Sequence, residues 1–219
     1  MIAFGSACWA VGDYIRRFLF KESSSLSPLA RNTLSFAAGN VTVSYILTAL
    51  GFLGFFSSPV LWAVFLIGIG LLVLQFIARI GHRFGRPSIE PEDQKGTEEG
   101  RLAFLVLAIV IGLFMGPMIL QAAAPPFVRD SLVYHLLCPK EYLKIGRLVH
   151  IGGNLYSAFP KGHEVLITNL LAIAGDRAGQ GFSILQYVAM VGGIYSLTRL
   201  MAGPWTAALC SMGCATAPP

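Results

Sequence analysis

Three stretches of about twenty residues, 33–54, 59–78 and 102–121, are apolar almost throughout, and each is long enough to cross the hydrocarbon of a bilayer as a helix. No soluble core absorbs that much contiguous apolar surface. Hydrophobic residues make up 55% of the chain and charged residues 12%, about half the share usual in soluble domains. The mean hydropathy is +0.67. Glycine and proline interrupt the runs, and nothing alternates with the two-residue period of a barrel strand. The expected fold is therefore all-α: a polytopic transmembrane helical bundle, with interfacial helices in one external loop.

Residues 1–101 read as an N-terminal membrane anchor. Residues 2–12 are too short to span, and suit an interfacial helix or the remnant of a span that starts upstream. Residues 13–31 are polar, with a turn signal at Ser27-Pro28. A helical hairpin is expected over 33–78, turning at 55–58, followed by a loop over 79–101 with five basic and five acidic residues. Residues 102–219 begin with the span 102–121, which Pro117 is expected to kink near its exit. An external loop (122–163) and a half-helix (165–174) follow, and Gly175-Asp176-Arg177 breaks the latter. The span 182–198 and an incomplete span over 205–219 complete the order, and the finish within an apolar run suggests a truncated chain.

The two basic loops, 13–31 and 79–101, should be cytoplasmic by the positive-inside rule, and the uncharged turn at 55–58 external. That places residues 122–163 outside. The net charge of +5 carries no basic stripe with interleaved aromatics, so nucleic acid is not an expected partner. Cys8, Cys138, Cys210 and Cys214 have no metal-binding spacing, and Cys210 and Cys214 read as buried small hydrophobes. Asn40, Gln75, Asn169 and Gln186 lie inside apolar helices, where helix–helix hydrogen bonding is the ordinary role.

The segment 125–164 stands apart. It holds three of the four histidines, five basic residues and three of the eleven acids, between apolar runs on both sides. Arg129, Lys140, Lys144, Arg147 and Lys161 lie on the side where basic residues are depleted. An anionic ligand at the outer surface would account for them, and so would anionic headgroups. Leu132, Val133, Leu136 and Leu137 give the segment one apolar face, suited to a helix lying along the interface. Asp130 is either an N-cap or a functional acid, and Glu164 either a helix-start charge or a ligand for acceptor or metal. His135 and His163 read first as satisfied structural groups, His150 as surface, and His82, Arg83 and Arg86 as a cytoplasmic anchor.

The string D-x-x-x-YH-x-x-x-PK-x-Y-x-x-x-G-R from Asp130, with N-x-YS-x-FP-x-x-x-E from Asn154, resembles bacterial membrane proteins of the GT-C glycosyltransferase superfamily. The resemblance runs from about Leu102 to the C-terminus. It implies a bacterial inner-membrane enzyme that transfers a sugar from a polyprenyl-phosphate carrier to an acceptor at the external face. It also implies that Asp130 is a general base, or an acid positioning the acceptor or a divalent metal, with Glu164 as a second acid. Tyr134, His135 and Lys140 match the motif. Lys140, Arg147 and Lys161, with His163 beside them, would bind substrate and stabilise the departing phosphate. Members of the superfamily have more spans and a second acidic motif in a later loop. A different expectation follows from that departure: a non-catalytic GT-C-derived subunit packed with other membrane subunits.

Overall fold

The computed structural model describes residues 1–19, 26–83, 98–123, 135–158 and 161–216; the side chains of Arg79, Gly81, His82, Arg83, Gln121, Ala122, Tyr156 and Ala158 are outside that description. Of the described residues 87% are helical and none is in a strand. The α-helices are α1 (Ile2–Leu19), α2 (Pro28–Phe52), α3 (Ser58–Arg83), α4 (Glu98–Ala123), α5 (Leu137–Ile145), α6 (Gly162–Ala174), α7 (Asp176–Met201) and α8 (Pro204–Thr216). Four of them, α2, α3, α4 and α7, are long and apolar enough to cross a membrane. The chain is thus a membrane-type helical bundle.

Each start has a local cause. Ser27 caps α2, its Oγ accepting from Ala30 N at 3.2 Å, and Pro28 opens the helix, which sets the start earlier than residue 33. Pro117 lies within α4, which continues to Ala123.

The N-terminal segment differs most from expectation. Residues 2–12 are not a short interfacial helix, because α1 runs on through Asp13, Arg16 and Arg17 to Leu19. The charges do not stop it, since they neutralise one another along one face. Arg16 Nη2 donates to Asp13 Oδ1 at 2.7 Å, and Arg17 Nε to Asp13 Oδ2 at 2.8 Å. Arg16 Nε also donates to Ser35 Oγ of α2 at 3.0 Å.

Nor do residues 33–78 form a simple hairpin, because α1 packs against both α2 and α3. It runs antiparallel to α2, where a side-chain carbon on Gly12 would collide with Ser35 O and one on Gly39 with Cys8 O. It runs parallel to α3, where Phe4 stacks on Phe65 and Gln75 Nε2 donates to Ala10 O at 2.8 Å. Small residues let the backbones approach this closely.

The packing falls into two clusters. The larger joins α1, α2, α3, α5 and α6 with the first half of α7, around Leu47, Phe56, Leu61, Tyr142, Val165 and Phe182. The smaller joins α4, α8 and the second half of α7 around Leu107, Val191 and Ala207. Much of α3 and α4 is exposed apolar surface, including Leu66, Leu74, Leu105 and Leu113, which suits lipid contact. Cys210 and Cys214 are exposed on α8 rather than buried, whereas Cys8 and Cys138 are buried.

The polar segment from His135 docks on the α2–α3 turn, at the opposite end of the bundle from Asp13 and Arg16. Phe56 N donates to Gly146 O and Leu148 N to Gly51 O, both at 2.9 Å. Helix α5 turns Cys138, Pro139 and Tyr142 inward, where they are buried. Residues 132 and 133 of the expected interfacial face lie outside the described residues. Asn169 Nδ2 of α6 donates to Leu61 O at 3.1 Å, an inter-helix bond like that of Gln75, whereas Asn40 Nδ2 bonds Phe36 O within its own helix.

Candidate functional site

Two interruptions of helix build the site. Gly175, at φ 76°, ends α6 and lets α7 start one residue later, so the chain reverses with almost no loop. Residues 176–181, ahead of the expected span 182–198, are the opening turns of α7. Helix α6 begins at Gly162, three residues before the expected half-helix, and takes His163 and Glu164 into its first turn. At 13 residues it is too short to cross. Its first residue lies beside the middle of α2, where a side-chain carbon on Gly162 would sit 3.6 Å from Ser44 Oγ. The start of α6 is therefore set back from the α2–α3 turn, with Gly162 itself exposed and Glu164 buried.

Three candidate residues meet there. Glu164, 7% exposed, accepts a hydrogen bond from His135 Nδ1 at 3.1 Å across 29 residues of chain. The rings of His135 and His163 meet edge to face, centroids 5.4 Å apart. His163 Nε2 lies 3.5 Å from Ser183 Oγ and shares a hydrogen bond with the Gln186 side chain. A cavity of about 100 Å³ opens beside them, with both histidines, Gln180 and Ser183 on its wall. That is room for about three waters. Gln180 Oε1 is buried and has no hydrogen-bond partner among the described residues.

The electrostatics favour an ionised acid beside a neutral histidine. Burial works to raise the Glu164 carboxyl, but the His135 hydrogen bond, a backbone N–H and the neighbouring histidines outweigh it and hold the carboxyl below its usual range. Burial lowers His163, against the opposing pull of Glu164. Burial likewise lowers the Lys161 ammonium, opposed by Cys138 and Glu164. Glu164 also sits three residues into α6, where a negative charge is favoured by the helix N-terminus. The capping role and the paired role therefore coexist in one side chain.

The basic candidates are used differently. Lys161 Nζ lies 4.8 Å from the centroid of the buried Tyr142 ring and donates to Val149 O at 3.3 Å. Lys140 Nζ pairs with Asp176 Oδ2 at 2.6 Å, and the weaker pair Lys144–Glu141 lies on the same helix at 3.8 Å. Arg147 is exposed and has no ion pair among the described residues. His150 is exposed, with its Nδ1 2.8 Å from Ser157 Oγ. Asp130 and Tyr134 lie outside the described residues, as do Arg129 and the Phe-Pro pair at 159 and 160. No group of three or more His, Cys, Asp or Glu is placed to hold a metal ion among the described residues.

On the α7 side of the site, sequence reasoning read Gln186 as a helix–helix hydrogen-bonding residue, which it is toward His163, and missed Gln180 and Ser183. Gln180, Ser183 and Gln186 recur at three-residue intervals, a spacing that puts them along one helical face. Asp176 carried no comparable signal, because its partner Lys140 is 36 residues away.

The chain matches no known family model, no curated protein and no solved structure.

Proposed function

We propose that this protein acts as a GT-C-type membrane glycosyltransferase, moving a sugar from a polyprenyl-phosphate carrier to an acceptor at the external membrane face. The observation that carries this reading is the convergence of Glu164, His135 and His163, from separate parts of the resembling motif, on one cavity inside a membrane-type bundle. An ionisable cluster at such a depth is costly unless it is used.

In this reading Asp130 takes the proton from the acceptor hydroxyl. It precedes His135 by five residues, so its backbone stays within about 17 Å of that of His135. Glu164, kept ionised by His135, orients the acceptor through a hydrogen bond to its hydroxyl. Neutral His163, held by Gln186, lends a second polar contact. Arg147 and Lys161 stabilise the charge on the departing lipid phosphate, and Lys140 joins them when its pair with Asp176 opens. The Asp130 step needs no metal, and a divalent ion at that acid would instead polarise the phosphate.

The test is transfer from a radiolabelled polyprenyl-phosphate sugar in membranes carrying the protein. Asp130→Asn should cut transfer by about a thousandfold and Glu164→Gln by about a hundredfold, with insertion and abundance unchanged. Wild-type activity in both variants would sink this reading. It would favour instead a non-catalytic subunit, whose exposed apolar helices pack against other membrane proteins.

A further inference from the structure

Between α2 and α7 runs a groove of about 650 Å³ whose walls are almost wholly apolar. Ala30, Leu34 and Ala37 line it from α2, and Met190, Gly193 and Leu197 from α7. Both helices are candidate spans, so the groove lies at the depth of lipid chains. Its direction is fixed by the antiparallel contact of the two helices. A side-chain carbon on Gly192 would lie 3.1 Å from Thr33 and 3.6 Å from Leu29, which places the end of α7 beside the start of α2.

Three observations at that end point to an anionic headgroup. Arg31 follows the lining residue Ala30, and Arg199 precedes the lining residue Leu200. Both arginines are exposed, and neither makes an ion pair among the described residues. Whereas Arg31 stands level with Gly192, Ser196 lines the groove one turn outward of it and one turn inward of Arg199. It is 6% exposed, and its Oγ has no hydrogen-bond partner among the described residues. A buried hydroxyl left unpaired beside hydrocarbon is costly, and an incoming acceptor relieves that cost.

We propose that this groove is a binding site for one anionic glycerophospholipid. Its phosphate lies between the Arg31 and Arg199 guanidiniums, an ester oxygen accepts from Ser196 Oγ, and an acyl chain fills the groove toward Asn40. The cations and the donor stand together at the mouth of the apolar trough, as phosphate and ester stand together at the head of an acyl chain. This end of the bundle also carries Asp13, Arg16 and Arg17, and is the end the positive-inside rule makes cytoplasmic, where anionic lipids concentrate. The headgroup end lies toward the other end of α7 from the Glu164 cavity, and Gln186, which hydrogen-bonds His163, lines the inner end of the groove.

Native mass spectrometry of the detergent-purified full chain tests this, with dioleoyl-phosphatidylglycerol and dioleoyl-phosphatidylcholine as probes. The wild type should retain one phosphatidylglycerol under activation that strips phosphatidylcholine. Arg31→Gln with Arg199→Gln should weaken retention by about thirtyfold. Gly193→Leu supplies a second variant. A side-chain carbon at Gly193 meets nothing within 4 Å, so leucine fills the groove without a clash and should displace the lipid with both arginines intact. Equal retention of the two lipids, or wild-type retention in a variant with unchanged helicity, would overturn the proposal. So would a groove-dependent dimer with no bound lipid, which would make a helix of a second copy the occupant.

Discussion

Asp13 and Glu164 are the two carboxylates buried among the described residues, and the bundle treats them in opposite ways. Asp13 is enclosed by donors: Arg16, Arg17 and, at 3.5 Å, the Ser35 hydroxyl. The surrounding backbones are packed as tightly as glycine permits. Glu164 has His135 for a side-chain partner, and the histidines around it open on a cavity with an unpaired amide oxygen. The first arrangement is closed around the carboxylate, with an arginine donor on each of its oxygens. The second is open, with space and hydrogen-bonding capacity left over. Burial of a charge does not by itself mark a functional site. What sets the Glu164 cluster apart as a candidate is incomplete satisfaction beside a void.

The sharpest way to break this contrast is Asp13→Ala. It leaves Arg16, itself 6% exposed, without its partner inside packed helices, which should cost about 3 kcal/mol. Unfolding by SDS titration in mixed micelles would show the loss, while transfer per folded molecule should stay at the wild-type level. A neutral outcome would mean that the Asp13 cluster is not what holds α1 in place.

A smaller effect separates the two regions by pH. The folded state holds His163 below its ordinary value, so the unfolded chain takes up the proton first on acidification. The stability linked to His163 is therefore complete above about pH 6.5 and is lost as pH falls below that. Thermal unfolding followed from pH 7.5 to 5 should show the decline. His163→Gln should flatten it, whereas a decline unchanged in that variant would assign it to other groups. The smallest effect belongs to the rim. The side chains of Lys140 and Asp176 are 49% and 36% exposed. Lys140→Ala should accordingly cost less than about 1 kcal/mol, and more than that would show the pair to be a structural clamp.

Long apolar helices were legible because their signal is local: about twenty residues without charge at α2, α3 and α4 state their own length. Helix α1 was not read correctly, because Asp13, Arg16 and Arg17 look like an end when counted as charges. Their spacing of three and four residues is that of an ion-paired helical face, so the information was present but read as composition. The insertion of α1 between α2 and α3 had no such local trace, since it depends on Gly12 meeting Gly39 across the intervening loop. The same limit governed the site. His135, His163 and Glu164 were each legible as candidates from their chemistry. Their meeting follows from the docking of Gly146 and Leu148 onto the α2–α3 turn, through backbone bonds that no side-chain pattern announces. Cys210 and Cys214 were misread for a related reason: in a bilayer an apolar run has an outward face that is as apolar as its inward one.

The seat of α1 has a consequence for how the protein is made. The ribosome produces this helix before either wall of its slot. Gly12 cannot meet Gly39, nor Gln75 reach Ala10, until the second and third helices have entered the membrane. The segment thus takes its place only after two later ones, and its pairs between Asp13 and the two arginines lie within the helix itself. Its arrival welds two helices that the chain itself joins only by a short turn.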